Sequence, residues 1–245
     1  MPSFQIDRLL GYGSKVARAL PLTISGKVKV SVKVKVSAKP ESAAPFVPPR
    51  PTLRTAKQAA ADCKGCDLYR HATQTVFGEG RANATVVFVG EQPGDAEDLA
   101  GKPFVGPAGR VLDQALEAVG IVRVQVYVTN VVKHFKWEPR GKRRIHAKPR
   151  ISEIRACRPW LDTEIALIKP RALVCLGATA AQALLGSTFK VSTRRGKFVE
   201  SPLAPVVMAT VHPSSVLRAQ TDDERRVAME AFVADLRTLA KKLSG

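Results

Sequence analysis

Four short runs of apolar, mostly β-branched residues occur along the chain, and each is followed by residues that can take part in chemistry. They span residues 85–89, 126–129, 172–176 and 206–211. Runs of this length and composition are typical of buried strands. Segments with apolar positions at helical spacing lie between them, and strands that alternate with helices predict parallel β-α-β units. We therefore expect a three-layer α/β/α fold with a central, mainly parallel four-stranded sheet.

Helices are expected at residues 55–62, 108–119, 151–168, 179–185 and 222–243. Those at residues 108–119 and 151–168 have an apolar face of the kind that a helix buries against a sheet. Two long segments are predicted to be loops. Residues 90–106 connect the first strand to the next helix, and residues 133–150 contain Pro139, Gly141 and Pro149, which oppose regular structure.

Polar side chains follow three of the predicted strands. Glu91 comes after the first strand in the sequence GEQPGD, Asn130 ends the second, and His212 follows the fourth. Ligands of open α/β sheets bind beyond the carboxyl ends of the strands, so these side chains are expected to converge on one crevice. Phe104, in a glycine-flanked loop, either stacks on a base or fills the core. The alternative interpretations are a tight loop for Glu91, a turn residue for Asn130 and a structural role for His212.

The chain is strongly basic. It has 39 Lys and Arg against 21 Asp and Glu, a formal net charge of +18, which indicates a polyanionic partner such as nucleic acid. Residues 133–150 alone hold eight Lys or Arg and one acid, Glu138. A basic loop beside the predicted crevice suits a phosphate backbone. His146, within this loop, is a candidate nucleophile in its neutral form, and an incidental histidine in a solvated loop is the alternative.

The first part of the chain differs in composition from the rest. Residues 27–36 alternate apolar and basic positions, a strand pattern of low complexity, and residues 40–51 contain five prolines, which predict an extended linker. We expect residues 1–56 to be a basic extension with a Pro-rich linker, of which residues 1–50 are a basic arm, and residues 57–245 to be the folded domain. Two interpretations of this arm are open: it contributes to DNA affinity, or it is a dispensable tail.

The sequence lacks the usual signals for membranes and secretion. No stretch reaches the roughly 18 apolar residues of a membrane span, and the amino terminus has no apolar core followed by a small-residue cleavage site. We expect a cytoplasmic monomer that does not bind membranes.

Four cysteines occur in the chain, and we expect them to hold one metal centre. Cys63 and Cys66 form a C-x-x-C pair, Cys157 lies on a predicted helix and Cys175 in a predicted strand. Nothing marks the chain as secreted, so a disulfide framework is not expected. Four thiolates suit zinc or an iron–sulfur cluster, although the spacing is not that of a zinc ribbon. Taken alone, Cys175 is also typical of a small core residue.

Three features together resemble the iron–sulfur, family-four-like branch of the uracil-DNA glycosylase superfamily. They are GEQPGD at residues 90–95, HPSS at residues 212–215 and the four cysteines. The resemblance covers residues 57–243. It is closer still to the UdgX type, which has an inserted basic loop reading KRRIH, here residues 142–146, together with Gln92. Ala96 departs from the pattern, in which glutamine is usual at this position.

The resemblance implies a uracil-DNA glycosylase-like fold and excision of uracil from DNA in base excision repair. It implies three catalytic residues. Glu91 is the carboxylate, His212 steadies the departing uracil anion, and His146 attacks the sugar C1′ and stays bound, so the protein ends as a covalent DNA adduct. The implied substrate-binding residues are Gln92, Asp95, Phe104, Asn130, Arg144 and Ser214. A [4Fe–4S] cluster is implied on Cys63, Cys66, Cys157 and Cys175.

Two other functions stay open. One is a conventional, multiple-turnover uracil-DNA glycosylase in which His146 only contacts phosphate. The other is a non-catalytic iron–sulfur module that binds DNA through its basic segments. The number of uracils released per chain separates the first from the covalent mechanism, and the absence of released uracil identifies the second. Uracil-containing DNA is the expected partner, with single strands favoured.

Overall fold

The predicted strands form one parallel sheet. A computed structural model describes residues 42–245 of the chain. Its strands are β1 (Val86–Gly90), β2 (Val126–Asn130), β3 (Trp137–Arg140), β4 (Arg143–His146), β5 (Ala172–Leu176) and β6 (Val206–Thr210). The four-stranded central sheet has the order β2-β1-β5-β6, and all of its pairings are parallel. Strands β3 and β4 form a separate antiparallel hairpin.

Helices lie between the strands, as apolar spacing predicts. They are α1 (Leu53–Ala61), α2 (Asp95–Ala100), α3 (Pro107–Ala118), α4 (Ile151–Ile168), α5 (Ala178–Leu185), α6 (Val191–Arg194), α7 (Ser214–Leu217) and α8 (Asp222–Ser244). The predicted helices are all present with small shifts at their ends, and α4 begins and ends where predicted. In the described part of the chain, no helix combines the length and apolar character needed to cross a bilayer.

Two apolar clusters fill the space between the sheet and its helices, one on each face. On one face, Val87 and Leu173 are buried with Trp160 of α4. On the other, Phe88 and Met208 are buried with residues of α3 and α8. Successive strand residues point to opposite faces, so strands that are apolar at every position need helices on both sides. The predicted three-layer α/β/α fold is therefore confirmed.

A segment predicted as a loop contains the short helix α2. The carboxylate of Glu97 accepts hydrogen bonds from Gly94 N at 3.0 Å and from Gly106 N at 2.8 Å, so one acid holds both the start of the helix and the end of the loop. Apolar periodicity does not reveal such an element, because six residues make less than two turns.

The basic loop also contains regular structure, since β3 and β4 pair within it. We call residues 137–146 the basic hairpin. Gly141 has a φ of 59°, as the first position of a tight two-residue hairpin turn requires. Pro139 is tolerated because each strand of a two-stranded hairpin has an unpaired edge. The expectation that these two residues exclude regular structure is therefore wrong.

The chain before α1 packs against α4. Ala43 N donates to the carbonyl of Ala156 at 2.7 Å, and Ala43 is buried. Contacts with the folded domain thus begin before residue 57. The division between the extension and the domain at that residue stays a prediction. The alternating segment at residues 27–36 and most of the basic arm lie outside the described residues.

A buried ion pair joins α4 to the end of β2. Lys133 Nζ lies 2.5 Å from Glu164 Oε2, and both side chains are at most 1% exposed. Glu164 also accepts hydrogen bonds from Gly78 N and the Tyr127 hydroxyl, each at 2.9 Å, while Lys133 donates to the carbonyl of Asn130 at 2.9 Å. Burying two charges carries a large desolvation penalty, but the ion pair and the additional hydrogen bonds offset it, so this cluster can hold α4 against the strand that ends at Asn130.

We expect Lys133→Met to lower the free energy of unfolding by about 3–5 kcal/mol, because the Glu164 carboxylate stays buried without its cation. Equilibrium denaturant unfolding measures the change. Glu230→Gln, which breaks an exposed pair with Arg226 on α8, is the matched control and should have little effect. Similar losses in both variants would contradict the importance of the buried pair.

Candidate active site

The carboxyl ends of the strands bring the predicted catalytic residues together. Gly90 of β1 is in register with Asn130 of β2, so Glu91 leaves the sheet beside Asn130. His212 follows β6 and lies against Gly177, which follows β5. The residues thus border one crevice at the edge of the sheet where ligands of this fold class bind.

Glu91 lies in the crevice and contacts two other elements. Its Oε1 lies 3.2 Å from Nε2 of His146 on β4, and its Oε2 accepts a hydrogen bond from the hydroxyl of Thr179 on α5. The His146 side chain is 51% exposed and that of Glu91 is 21% exposed. The imidazole therefore lies at the mouth of the crevice, open to a ligand, while the carboxylate holds one of its nitrogens.

The surroundings of Glu91 favour its ionised form. Burial acts to raise the pKa of Glu91, but hydrogen bonds from His146 and Thr179, together with the charges that His146 and His212 can carry, act to lower it. The lowering effects are larger, so the pKa of Glu91 lies below its ordinary value. A negative charge is therefore present in the crevice at neutral pH, where it can stabilise a developing cation.

His212 is a neutral ring with its proton on Nε2. Ser214 N donates to Nδ1 at 3.2 Å, and Ser214 Oγ lies 2.8 Å from the same nitrogen. Because Arg218 donates to Ser214 Oγ at 2.9 Å, the hydroxyl proton of Ser214 is available to Nδ1. Burial lowers the pKa of His212 to about 4, against the opposing effect of the Glu91 charge. The ring can therefore donate through Nε2 without carrying a positive charge.

Phe104 and Asn130 border the space beside Gly90. A Cβ at Gly90 would lie 2.8 Å from Phe104 Cζ and closer still to Asn130 Oδ1. Phe104 has a φ of 56°, in the left-handed region that residues other than glycine rarely adopt, and its ring centroid lies 6.2 Å from that of His212. Strain of this kind occurs preferentially at functional sites. The arrangement places an aromatic ring, a carboxamide and an imidazole around one space.

Arg144 ties the basic hairpin to α2. Its Nε lies 2.6 Å from Asp95 Oδ1 and its Nη1 lies 2.6 Å from Asp98 Oδ2. Its guanidinium carbon lies 5.7 Å from the centre of the Trp137 ring. Burial acts to lower the pKa of Arg144, but the two carboxylates outweigh it and raise the pKa. Asp95 and Arg144 thus hold the strand that carries His146.

Gln92 forms hydrogen bonds with both chain segments at the base of the basic hairpin. Its amide nitrogen donates to the carbonyls of Lys136 at 3.1 Å and Ala147 at 3.0 Å, and its oxygen accepts from Lys136 N at 3.0 Å. Lys136 and Ala147 flank the hairpin on either side. Gln92 is also 7% exposed, so its carboxamide is engaged with backbone groups. Direct substrate binding by Gln92 stays a prediction, while these contacts give it a positioning role.

Two residues of the site are missing from the predicted set. Asp98 is buried and accepts hydrogen bonds from Thr73 N at 3.0 Å and from Arg144. Acidic residues beside a strongly basic surface are a signal that could have identified Asp98. Thr179 donates to Glu91, a partner 88 positions away, and nothing in its local sequence indicates this contact.

The four cysteines are not assembled as one metal site. Among residues 42–245, no three His, Cys, Asp or Glu side chains are grouped as ligands of one metal ion. Hydrogen bonds nevertheless reach two of the thiols. Cys157 Sγ accepts from Lys133 N at 3.2 Å, and Cys63 Sγ accepts from Trp160 Nε1 at 3.2 Å. Because Trp160 lies one turn after Cys157 on α4, these contacts put both thiols against the same part of that helix.

Electrostatic interactions group three of the cysteines and leave the fourth apart. Burial raises the pKa of Cys157 to about 12, and the charges of Cys66 and Cys63 contribute to the rise. Burial also raises the pKa of Cys175 to about 12, but the charged group that acts on it is Arg158. Cys63 and Cys66 are therefore near enough to Cys157 to influence its thiol, and the fully buried position of Cys175 is also compatible with that of a core residue. The four-cysteine site stays a prediction.

Comparison with known proteins indicates the family. Residues 77–237 match the uracil DNA glycosylase superfamily. The type-4 uracil-DNA glycosylase of Thermotoga maritima is 38% identical over 169 residues, which are 69% of this chain and 84% of that protein. The type-4 enzyme of Pyrobaculum aerophilum is 36% identical over 173 residues, 68% of this chain and 85% of that protein. That of Saccharolobus solfataricus is 33% identical over 196 residues, 75% and 88% of the two chains.

These similarities agree with the geometry of the crevice. The matched region contains Glu91, Asn130, His146 and His212, the residues that the sheet and the basic hairpin bring together. The chain therefore belongs to the uracil-DNA glycosylase superfamily.

Proposed function

We propose that this protein excises uracil from DNA and then becomes covalently linked to the abasic sugar through His146. The observation that carries the proposal is the position of this imidazole, with Nε2 at 3.2 Å from Glu91 Oε1 at the exposed mouth of the crevice. The relatives named type-4 uracil-DNA glycosylases support the excision step. The covalent step rests on His146 and on the resemblance of its loop to the UdgX type.

Excision breaks the bond between C1′ of the sugar and N1 of uracil, and the bonding electrons leave with the base. The sugar becomes an oxocarbenium-like cation, which the Glu91 carboxylate stabilises. The uracil becomes an anion, which the Nε2–H of His212 stabilises by donating to a carbonyl oxygen. Phe104 stacks on the flipped base, and Asn130 donates and accepts at its edge. Ser214 holds the His212 ring in the required tautomer.

In the second step, the imidazole of His146 takes the place of water. The ring nitrogen that carries the lone pair forms a bond to C1′, and the ring becomes an imidazolium whose N–H faces Glu91. Its positive charge balances the uracil anion, so no further reactant is needed. An imidazole held beside C1′ competes with water at a high effective concentration. Gln92, Asp95 and Arg144 support this step by anchoring the basic hairpin.

A conventional glycosylase with multiple turnover is the second candidate. In this mechanism water attacks the sugar, and His146 contacts a phosphate. The names of the relatives favour it over a non-catalytic DNA-binding module. The number of uracils released per chain distinguishes it from the covalent mechanism.

We propose that Cys63, Cys66, Cys157 and Cys175 contribute the thiolates that hold a [4Fe–4S] cluster. Bound there, the cluster would supply a structural link between the C-x-x-C segment and α4. The reaction steps described above use only side chains of the protein, so the proposed role of the cluster is to stabilise the fold.

We propose that the basic hairpin lies along the DNA backbone. Its exposed cations, Arg140, Lys142 and Arg143, lie on the same hairpin as His146, so phosphate contacts would place the sugar near the imidazole. Single-stranded DNA is the favoured substrate in this proposal, because its bases need little energy to leave the stack.

The direct test uses the full-length protein and an oligonucleotide with one deoxyuridine. A complex that survives heat and detergent, with one uracil released per chain, is the expected result. Release of many uracils without a stable complex would contradict the covalent step and support the conventional enzyme. If neither released uracil nor a stable complex is detected, both catalytic mechanisms are contradicted. The non-catalytic DNA-binding module would then be the remaining candidate.

The pH dependence of excision provides a further prediction. In the His146→Ser variant, the single-turnover rate should be constant from about pH 8 down to about pH 5. Over this range His212, whose pKa is lowered by burial to about 4, stays neutral. At lower pH the rate should fall as Glu91 gains a proton. An inflection near the ordinary histidine value of about 6.5 would contradict a neutral, buried His212.

A further inference from the structure

We propose that residues 190–199 form a second DNA-contacting surface, on the opposite side of the crevice from the basic hairpin. In this proposal Lys190, Arg194 and Lys197 bind phosphates of the strand that carries the target nucleotide. We call residues 190–199 the basic edge segment. The inference rests on the proposed action on DNA and adds to it a second contact with the backbone.

The basic edge segment carries only positive charge. It reads KVSTRRGKFV, with four Lys or Arg and no Asp or Glu. Lys190, Arg194 and Lys197 are exposed. Within residues 42–245, Arg195 is the only one of the four cations that forms an ion pair. No acid in this part of the chain therefore neutralises the other three charges, and a polyanion can do so.

The basic edge segment runs beside β6 in the opposite direction. Gly196 N donates to the carbonyl of Ala209 at 3.0 Å, and Phe198 forms an antiparallel bridge with Met208. Because the two chains are antiparallel, the beginning of the segment lies at the carboxyl end of β6. Arg194 comes two residues before this pairing begins. It is therefore at the edge of the sheet where the crevice lies.

Two contacts hold the basic edge segment in place. Arg195 Nε lies 2.8 Å from Asp235 Oδ2 on α8, and the hydroxyl of Thr210, the last residue of β6, donates to the same oxygen. The guanidinium carbon of Arg194 lies 5.2 Å from the centre of the ring of Phe189, which is buried. A cation that is already held in position loses less conformational entropy when it binds a phosphate.

The two basic surfaces lie at opposite ends of the sheet. The strand order is β2-β1-β5-β6, the basic hairpin follows β2, and the basic edge segment pairs with β6. Glu91, which follows β1, lies between them. A DNA strand that crosses the carboxyl edge of the sheet can therefore contact both surfaces and present one nucleotide to the crevice.

The spacing of the strands gives the length of DNA that reaches the basic edge segment. Three spacings separate it from β1, which is roughly 14 Å in total. A strand of duplex DNA advances by about 3.4 Å per nucleotide, so the segment is about four nucleotides from the target. A substrate with a single nucleotide on either side of the uracil is too short to reach it.

Salt-dependent binding of the full-length protein to DNA without uracil tests the proposal. The DNA is a labelled oligothymidylate several times longer than this span, and fluorescence anisotropy measures its affinity. The triple variant Lys190→Gln, Arg194→Gln and Lys197→Gln should bind more weakly. The slope of log K against log salt concentration should become shallower by about 2, because each phosphate contact on a single strand contributes about 0.7.

The matched control removes the same charge from the last turns of α8, with Arg237→Gln, Lys241→Gln and Lys242→Gln, all of them exposed residues. This end of α8 is far from the crevice, because the carbonyl of Leu243 accepts a hydrogen bond from Arg171, which precedes β5. The control should keep the wild-type slope. Equal slopes in the two triple variants would overturn the proposal, since only net charge would then matter.

Excision kinetics provide a second readout. With uracil in a long oligonucleotide, the variant of the basic edge segment should release uracil more slowly at subsaturating DNA and keep the maximal single-turnover rate. With one nucleotide on either side of the uracil, it should react as the wild-type protein does. An equal loss of rate with the short and the long substrate would overturn a contact with distant phosphates.

The outcomes separate the second surface from the proposed function. A shallower slope in a protein that releases no uracil would support the surface and contradict the proposed function. An unchanged slope with normal excision would overturn the surface alone. Circular dichroism checks that the variants fold. If the triple variant does not fold, the three single variants keep the test, each with an expected change in slope of about 0.7.

Discussion

Replacing His146 by serine should abolish the covalent complex with deoxyuridine DNA and keep uracil excision. The variant retains Glu91 and His212, the groups that stabilise the two charges of the cleavage step, and water can reach C1′ once the imidazole is absent. It should therefore release many uracils per chain, whereas the wild-type protein releases one. Denaturing gels and the amount of free uracil under excess DNA measure the two effects.

The matched control for this experiment is His71→Ser, which changes an exposed histidine and should react as the wild-type protein does. Turnover by the wild-type protein would contradict the covalent mechanism while leaving excision intact. Peptide mapping that places the DNA on a residue other than His146 would contradict it as well.

Replacing Glu91 by glutamine should slow excision and adduct formation by at least about 10²-fold. An amide has the size of the carboxylate and can still accept a hydrogen bond from Thr179. It carries no charge, however, to stabilise the sugar cation or the imidazolium that follows. Single-turnover kinetics measure the rate. Glu117→Gln, which neutralises an exposed acid on α3, is the control and should keep the wild-type rate.

Combining the two substitutions separates the roles of Glu91. If this carboxylate acted only by holding the imidazole, its loss would not affect excision in a protein that already lacks His146. We expect the double variant to excise uracil more slowly than His146→Ser, because the charge also acts on the sugar. Equal rates in the double and single variants would overturn that direct role.

The layers of the fold could be predicted from the sequence because they depend on burial at each position. The run at residues 172–176 is apolar throughout, and it is a strand buried on both faces. The apolar stripe at residues 151–168 likewise predicts α4 with the observed ends. By contrast, α2 and the basic hairpin are held by hydrogen bonds of Glu97, Gln92 and Arg144, which leave no apolar period in the sequence.

The sequence by itself also determined where most of the crevice residues lie. Glu91, Asn130 and His212 each stand at the end of an apolar run, and parallel strands direct such ends to one edge. It could not determine how these residues are paired. The contact of Glu91 with Thr179 spans 88 positions, and that of Gln92 with Ala147 spans 55.

Only the tertiary structure decided the pairing of His146 with Glu91, the clamp that Gln92 makes on the basic hairpin, and the neighbours of the cysteines. The pattern of apolar positions records how deeply each residue is buried, and Cys175 and Cys157 are alike in that respect. Which buried or crevice residues meet depends on the order of the strands in the sheet and on the path of the hairpin. Both are set by contacts between segments far apart in the chain.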